Sequence, residues 1–146
     1  MDDYLYDMEG ALLWAEARIP GNRFRSDAHT LTRKHHGVIR AVVVWDTFST
    51  SGCFISIASD GSRKWLTNEL AVRACAYPFI QCGHRRMSAL VSVRNFDSLV
   101  FVRRFGFEKE GCMREAGLDG EDVILFGMLR SECGWLSSLP VKAMAV

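Results

Sequence analysis

The sequence predicts an α/β protein in which helices pack on the faces of a mixed β-sheet. Three observations support this fold class. Residues 38–48 are rich in β-favouring side chains, residues 87–93 show the two-residue alternation of a strand, and apolar residues between 66 and 77 follow one helical stripe. Because strands lie on both sides of a helical crossover, we expect the sheet to contain parallel and antiparallel neighbours.

The first half of the chain is predicted to hold one helix and then three strands. Apolar residues at helix-like spacing predict a helix over roughly 4–18, which the Pro-Gly-Asn sequence at 20–22 ends. The three strands that follow are predicted at 29–35, 38–48 and 53–58.

In the second half, helices alternate with strands. Thr67 suits the N-cap of a helix over 67–82, Glu69 lies in its first turn, and Pro78 is expected to kink or end it. The remaining elements are a strand, a helix and two strands, at 87–93, 97–105, 107–115 and 122–130.

Length, composition and charge narrow the classes of function. With 146 residues we expect one domain over 1–136 and a flexible tail at 137–146. A net charge of +1 gives no reason to expect nucleic acid as a partner. No apolar run approaches the roughly 20 residues of a membrane span, and the acidic N-terminus is unlike a secretory signal. These features predict a cytoplasmic protein, either a monomer or a homodimer.

The cysteines are predicted to be reduced thiols. There are five, an odd number, and they are scattered along the chain. No pair has the Cys-x-x-Cys spacing of a zinc knuckle, so we predict no metal site and regard the cysteines as small apolar fillers.

The segment RRMSALVSVRNFDSLVFVRRFGFEKEG, residues 85–111, resembles a known family. A strand is followed by Asn95, a short helix, Gly106-Phe107 and Glu110-Gly111. This order resembles the C-terminal half of the GNAT superfamily of acyl-CoA N-acyltransferases. Arg114 and the end of the final strand are similar to the ribosomal-protein-type N-acetyltransferases. The tail and the Tyr-Pro-Phe sequence at 77–79 resemble small acetyltransferase-like proteins of tailed bacteriophages.

The resemblance implies a sheet in which two neighbouring parallel strands splay apart and acetyl-CoA lies in the gap. By order, these strands are 53–58 and 87–93. The backbone of the first strand, at Ile55 and Ile57, would contact the cofactor, and its N–H groups would polarise the thioester carbonyl.

The resemblance also assigns the CoA pyrophosphate to the turn after the first of these strands. The family motif has Gln or Arg, two residues, Gly, one residue, and then Gly or Ala. Gly61, Lys64 and Leu66 occupy these positions here, and all three depart from the motif. A helix N-terminus still offers free N–H groups to a phosphate. The candidate cofactor residues in the turn are Gly61, Ser62, Arg63, Lys64, Trp65, Leu66 and Thr67. The alternative is a solvated turn that only connects a strand to a helix.

Two further candidates lie after the second splayed strand. By the resemblance, the Asn95 amide would touch the pantetheine of CoA or fix the adjacent loop, although an N-cap is a frequent use of asparagine. Many family members protonate the departing thiolate with a tyrosine, but Val102 occupies that position here. Ser98 is the candidate to contact the cofactor or hydrogen-bond the thiolate. No residue is singled out as the general base.

The predicted function is therefore transfer of an acetyl group from acetyl-CoA to a primary amine. The acceptor is a protein N-terminus, a lysine side chain or a small amine, and the sequence does not choose among them. The departures from the family motif favour an alternative, a non-catalytic protein on the same fold that binds a protein partner, such as a phage protein acting on a host factor in the host cytoplasm.

Overall fold

The computed structural model describes residues 1–19, 21 and 24–137. Apart from Ser137, the predicted tail lies outside these residues, as do two residues of the predicted break at 20–22. In chain order the elements are β1 (Asp2–Tyr6), α1 (Ala11–Arg18), β2 (His29–His35), β3 (Val38–Asp46), β4 (Gly52–Ser59), α2 (Asn68–Ala76), a π-helical turn (Tyr77–Gln81), β5 (Arg86–Ser92), α3 (Phe96–Phe105), β6 (Glu108–Met113), β7 (Val123–Leu129) and two 3-10 turns (Arg130–Glu132 and Gly134–Leu136).

The strands of the described residues form one seven-stranded sheet in the order β1-β2-β3-β4-β5-β7-β6. β4 and β5 are parallel, and the other neighbouring strands run antiparallel. The parallel pair is joined by α2, as a crossover requires. The predicted mixed sheet is therefore confirmed.

The N-terminus departs from the predicted helix over 4–18. Its first residues form the edge strand β1, paired with β2 through register pairs such as Tyr4–Arg33, and the helix begins only at Ala11. Asp7 and Gly10 have φ values of 51° and 83°, and these positive values interrupt the regular backbone conformation between the strand and the helix. Helix spacing is a weak local signal, and pairing with the free edge of β2 outweighs it.

The helices cover both faces of the sheet. α1 packs through Ala11 and Ala15 against Val42 and Val44 of β3. The alternate residues of β3 face the opposite side, where α2 and α3 contribute to the larger core. The period-two alternation of β3 thus supplies apolar side chains to two separate cores. No helix among the described residues has the length and apolarity needed to cross a bilayer.

The crossover helix begins and ends as its sequence predicts. The Thr67 side chain accepts a hydrogen bond from Leu70 N at 3.0 Å, which confirms it as the N-cap. Pro78 has no amide hydrogen to donate to the carbonyl of Ala74, four residues earlier. The indole Nε1 of Trp45 on β3 donates to that carbonyl at 3.1 Å, and the chain continues in the π-helical turn.

Candidate functional site

The parallel strands β4 and β5 form a fork. They are paired at only three positions, which are Gly52–Arg86, Cys53–Met87 and Phe54–Ser88. Beyond these pairs, residues 55–59 remain bonded to β3 and residues 89–92 remain bonded to β7, with no register pair between the two segments. The sheet therefore opens toward the carboxyl ends of β4 and β5. The predicted splay between these two strands is confirmed.

Ile55 and Ile57 lie on the unpaired arm of β4. Their side chains belong to the core on the α2 and α3 side, where Ile55 is buried and Ile57 is half-buried. Because β5 has diverged, the edge of β4 that faces the fork has no strand partner there and could accept an extended ligand. The predicted contact of the Ile55 and Ile57 backbone with the cofactor requires such an edge.

The turn after β4 is shaped by its own side chains. Gly61 has a φ of +87°, and its N–H donates to Ser59 Oγ at 3.2 Å. Asp60 accepts from Ser62 N at 2.9 Å and from the Ser62 hydroxyl at 2.7 Å. The amides of Gly61 and Ser62 are thus engaged within the turn, and the amides further along are the ones left for a ligand.

Around the turn, the acidic side chains form ion pairs, whereas two of the basic side chains do not. The Asp60 carboxylate pairs with Arg40 at 3.1 Å, and Glu69 pairs with Arg73 at 2.9 Å. Partial burial acts to raise the pKa of Asp60, but hydrogen bonds from Ser62 and Arg40 outweigh it and hold the pKa below its usual value. The remaining cations, Arg63 and Lys64, are exposed and form no ion pair within the described part of the chain.

Arg33 of β2 lies beneath this turn, and the sequence did not single it out. Its Nη1 donates to the carbonyls of Lys64 and Trp65, each at 3.0 Å, and its Nη2 pairs with Asp2 at 3.1 Å. Its side chain is only 7% exposed. Strand alternation could have indicated its burial, because Arg33 lies two residues after Leu31 and so shares the face of β2 that carries this core residue.

The other arm of the fork leads into α3. The Asn95 side chain accepts a hydrogen bond from Ser98 N at 3.1 Å, so it is the N-cap of α3. This is the alternative to a cofactor contact that the sequence left open. Ser98 is half-buried, and no described residue bonds its hydroxyl. Val102 is buried in the core, so it offers no group to a ligand.

The turn and α3 approach each other on the side of the sheet that holds the larger core. The rings of Trp65 and Phe101 lie 5.1 Å apart between centroids. Of the predicted site residues, Trp65 is therefore brought to the α3 side, while Gly61 and Ser62 stay on the outer part of the turn.

A carboxylate that the sequence did not single out lies at the end of β5. Glu121, just before β7, accepts from the Ser92 hydroxyl at 2.6 Å, and this bond is the main cause that lowers the pKa of Glu121. Ser92 ends the open arm of β5. Two residues later, Arg94 pairs with Asp119 at 3.2 Å. In residues 1–19, 21 and 24–137, no three histidine, cysteine or acidic side chains converge as metal ligands.

Comparison with known proteins supports the same architecture. A single-site variant of the spermidine N-acetyltransferase SpeG from Vibrio cholerae matches with a TM-score of 0.77 at 15% identity, over 93% of this chain and 96% of that chain. Mutant forms of the spermidine/spermine N-acetyltransferase SpeG from the same organism match with 0.75 at 14% identity, over 90% and 96%. A probable acetyltransferase matches with 0.63 at 18% identity, over 73% and 64%.

No protein-family model and no curated protein matches the sequence. The structural matches are below a fifth in identity, so they bear on the fold and not on the substrate. Taken with the forked sheet and its crossover helix, they show that this chain has the fold of the GNAT-superfamily N-acetyltransferases.

Proposed function

We propose that the protein is an acetyl-CoA-dependent N-acetyltransferase. The observation that carries this proposal is the fork between β4 and β5, which opens beside the N-terminus of α2. In the turn before this helix, Arg63 and Lys64 form no ion pair with any residue that the structure describes. A thioester ligand with a long neutral arm and an anionic diphosphate matches both features, because the arm fits an open strand edge and the diphosphate suits helix amides and cations.

The residues present fit such a ligand. The open edge of β4 at Ile55 and Ile57 would hold the pantetheine arm, and the amides at the end of the turn would hold the diphosphate. The acids flanking the turn are neutralised by their arginine partners, so they oppose the diphosphate less than free carboxylates would. Thr67 keeps the first helical turn in place through its cap.

Acetyl-CoA would supply the acetyl group. Attack by the neutral amine nitrogen would form the amide C–N bond as the C–S bond breaks, CoA would leave as the thiolate, and the proton lost by the nitrogen would pass to solvent or to that thiolate. An N–H group on the open arm of β4 would polarise the thioester carbonyl. The free hydroxyl of Ser98 would hydrogen-bond the departing sulfur, although a hydroxyl is a poor proton source. The Asn95 side-chain amide would border the same mouth of the fork.

For the acceptor, Glu121 supplies a carboxylate at the end of the β5 arm. Its lowered pKa keeps it ionised near neutral pH, which suits binding of a protonated amine better than removal of its proton. A small amine, a lysine side chain and a protein N-terminus each carry the positive charge that this carboxylate would bind. Cytoplasmic placement remains part of this proposal, as does the host cytoplasm if a phage encodes the protein.

The alternative is a non-catalytic binding protein on the same fold. Two observations favour it. Val102 leaves α3 without a tyrosine acid, and the Trp65–Phe101 contact joins the turn to α3 on the side of the sheet that holds the larger core. A protein that uses the scaffold only to bind a partner would need neither an open fork nor an acid.

Acetyl-CoA binding separates the two functions. We expect acetyl-CoA at about a hundredfold excess over its dissociation constant to stabilise the fold by ~2.7 kcal/mol, which a thermal shift will detect. Release of free CoA thiol would then be followed with spermidine, a lysine peptide and a peptide with a free N-terminus. Absence of both a melting shift and calorimetric heat at millimolar acetyl-CoA would end the enzyme proposal.

A further inference from the structure

We propose that Arg33 is a positioning residue, which turns the amides of Trp65 and Leu66 outward so that they can receive the diphosphate of the cofactor. This inference rests on the proposed function and assigns a role to a strand that lies two places away from the fork in the sheet.

Peptide geometry gives the direction of these amides. Every described peptide bond is trans, so the carbonyl and the N–H of one peptide unit point in opposite directions. Nη1 of Arg33 holds the carbonyls of Lys64 and Trp65 on the inner side of the turn. The N–H groups in the same two units belong to Trp65 and Leu66, and they must point away from Arg33.

These two amides have no other task in the described residues. Neither the Trp65 nor the Leu66 N–H donates to a described acceptor, whereas the amides of Gly61 and Ser62 do. Successive outward amides just before a helix N-terminus form a concave donor site suited to an anion. The departures at Lys64 and Leu66 from the family motif are tolerable on this account, because orientation is supplied from below the turn.

Arginine is suited to this position for geometric reasons. Its Nη1 carries two hydrogens, one for each carbonyl, and Nη2 is left for Asp2. Asp2 is also bonded to His35 at 2.8 Å and balances the buried charge. The contribution of Arg33 is therefore the direction of the peptide units more than net charge under the turn. A lysine has one terminal nitrogen on a flexible stem and would hold the pair less firmly.

A second bond fastens the same turn to the N-terminal edge. Tyr4 Oη and Thr67 Oγ1 share a hydrogen bond at 2.6 Å, and Thr67 is the residue that caps α2. The turn is thus bonded to β1 through Tyr4 and to β2 through Arg33.

Limited proteolysis tests the ordering of the turn without any ligand. Trypsin cleaving after Lys64 must capture the Lys64 carbonyl, which Arg33 holds in the native state. We expect Arg33→Gln to accelerate this cleavage tenfold or more. Cleavage after Lys109, an exposed residue of β6, serves as the reference for global unfolding. Val42→Ala, in the core on the α1 side, is the matched control for lost stability. Equal acceleration after Lys64 in both variants overturns the inference.

Ligand binding tests the positioning role itself. We expect Arg33→Gln to weaken acetyl-CoA binding by tenfold or more and to change acetyl-pantetheine binding, which lacks the diphosphate, by less than twofold. Arg33→Lys should fall between Arg33→Gln and wild type, and it replaces Arg33→Gln if that variant does not fold. Equal losses for both ligands, or no loss for acetyl-CoA, overturn the inference. If wild-type protein binds no acetyl-CoA, the proposed function is what fails, and proteolysis still decides whether Arg33 orders the turn.

Discussion

The two arms of the fork are fastened to different parts of the molecule. The β4 arm and its turn are held by β1 and β2, through Tyr4 and Arg33. The β5 arm is held by the β6–β7 loop, where Glu121 accepts from Ser92 and Asp119 pairs with Arg94. The first arm presents the cations Arg63 and Lys64 and free amides, and the second presents the carboxylate of Glu121. This difference suits the proposed reaction, in which an acetyl group passes from an anionic cofactor to an amine that is a cation in solution.

The largest effect is expected on the β4 arm. Replacing Arg63 and Lys64 together with alanine should weaken acetyl-CoA binding about tenfold or more, because two charged contacts are lost and each contributes about 1.5–3 kcal/mol when well formed and less when exposed. Binding of acetyl-pantetheine should not change. Calorimetric titration of both ligands measures the difference.

Arg130→Ala combined with Lys109→Ala is the control, since it removes the same charge from exposed positions outside the fork. Equal losses in the two double variants would mean that overall charge, rather than the turn, attracts the cofactor. Unchanged affinity in the Arg63 and Lys64 double variant would restrict the phosphate contacts to the backbone.

On the β5 arm, Glu121→Gln should raise the KM for the amine about three- to tenfold and leave acetyl-CoA affinity unchanged. The reason is loss of a charge contact to the amine, and the effect is modest because solvent screens the contact. Steady-state kinetics at saturating acetyl-CoA provide the measurement. Glu115→Gln in the same loop is the matched control. The proposed role is wrong if both variants behave alike.

The two helix caps offer a comparison in stability. Thr67→Ala and Asn95→Ala should each lower the free energy of unfolding by about 1 kcal/mol, because each removes the acceptor for one helix amide. Thr67→Ala should cost more, since it also removes the partner of Tyr4. Urea denaturation measures both values, and Tyr4→Phe isolates the extra bond. A larger loss in Asn95→Ala would contradict the expectation that the bond to Tyr4 gives the Thr67 cap an additional contribution.

The smallest effect concerns pH. The pKa values of Asp60 and Glu121 are lowered in the folded protein. Their contribution to stability is therefore present above their ordinary pKa values, about 4, and is lost as the pH falls through the lowered values. We expect the melting temperature to decline between about pH 5 and pH 3. The decline should be shallower in Asp60→Asn and in Glu121→Gln, and identical slopes in wild type and variants would contradict the assignment.

Local patterns in the sequence predicted most of the fold. Alternation located β5, and the N-cap residue Thr67 located the start of α2. The same local reasoning failed for β1, because the strand exists only through pairing with β2. Apolar spacing contains no information about a partner strand 25 to 33 residues away, so the segment was predicted as helix.

The candidate site was predicted in part. The turn and the fork were located from the resemblance to a family, but Arg33 and Glu121, which bond to residues of these segments, were not. Their bonds cross 31 and 29 residues of sequence, through contacts that only the folded sheet creates. An arginine in a strand is ordinarily assigned to solvent, and burial of this one follows from the carbonyls it meets.

The bond between Trp45 and the carbonyl of Ala74 bears on the order of folding. Helices generally form early because their contacts are local. Here Pro78 removes a helical amide near the end of α2, and the replacement donor lies 29 residues away on β3. The last turn of the helix therefore gains its full set of bonds only when the sheet has formed beneath it. Assembly of the crossover and of the sheet becomes one cooperative event, and the fork matures together with the helix that borders it.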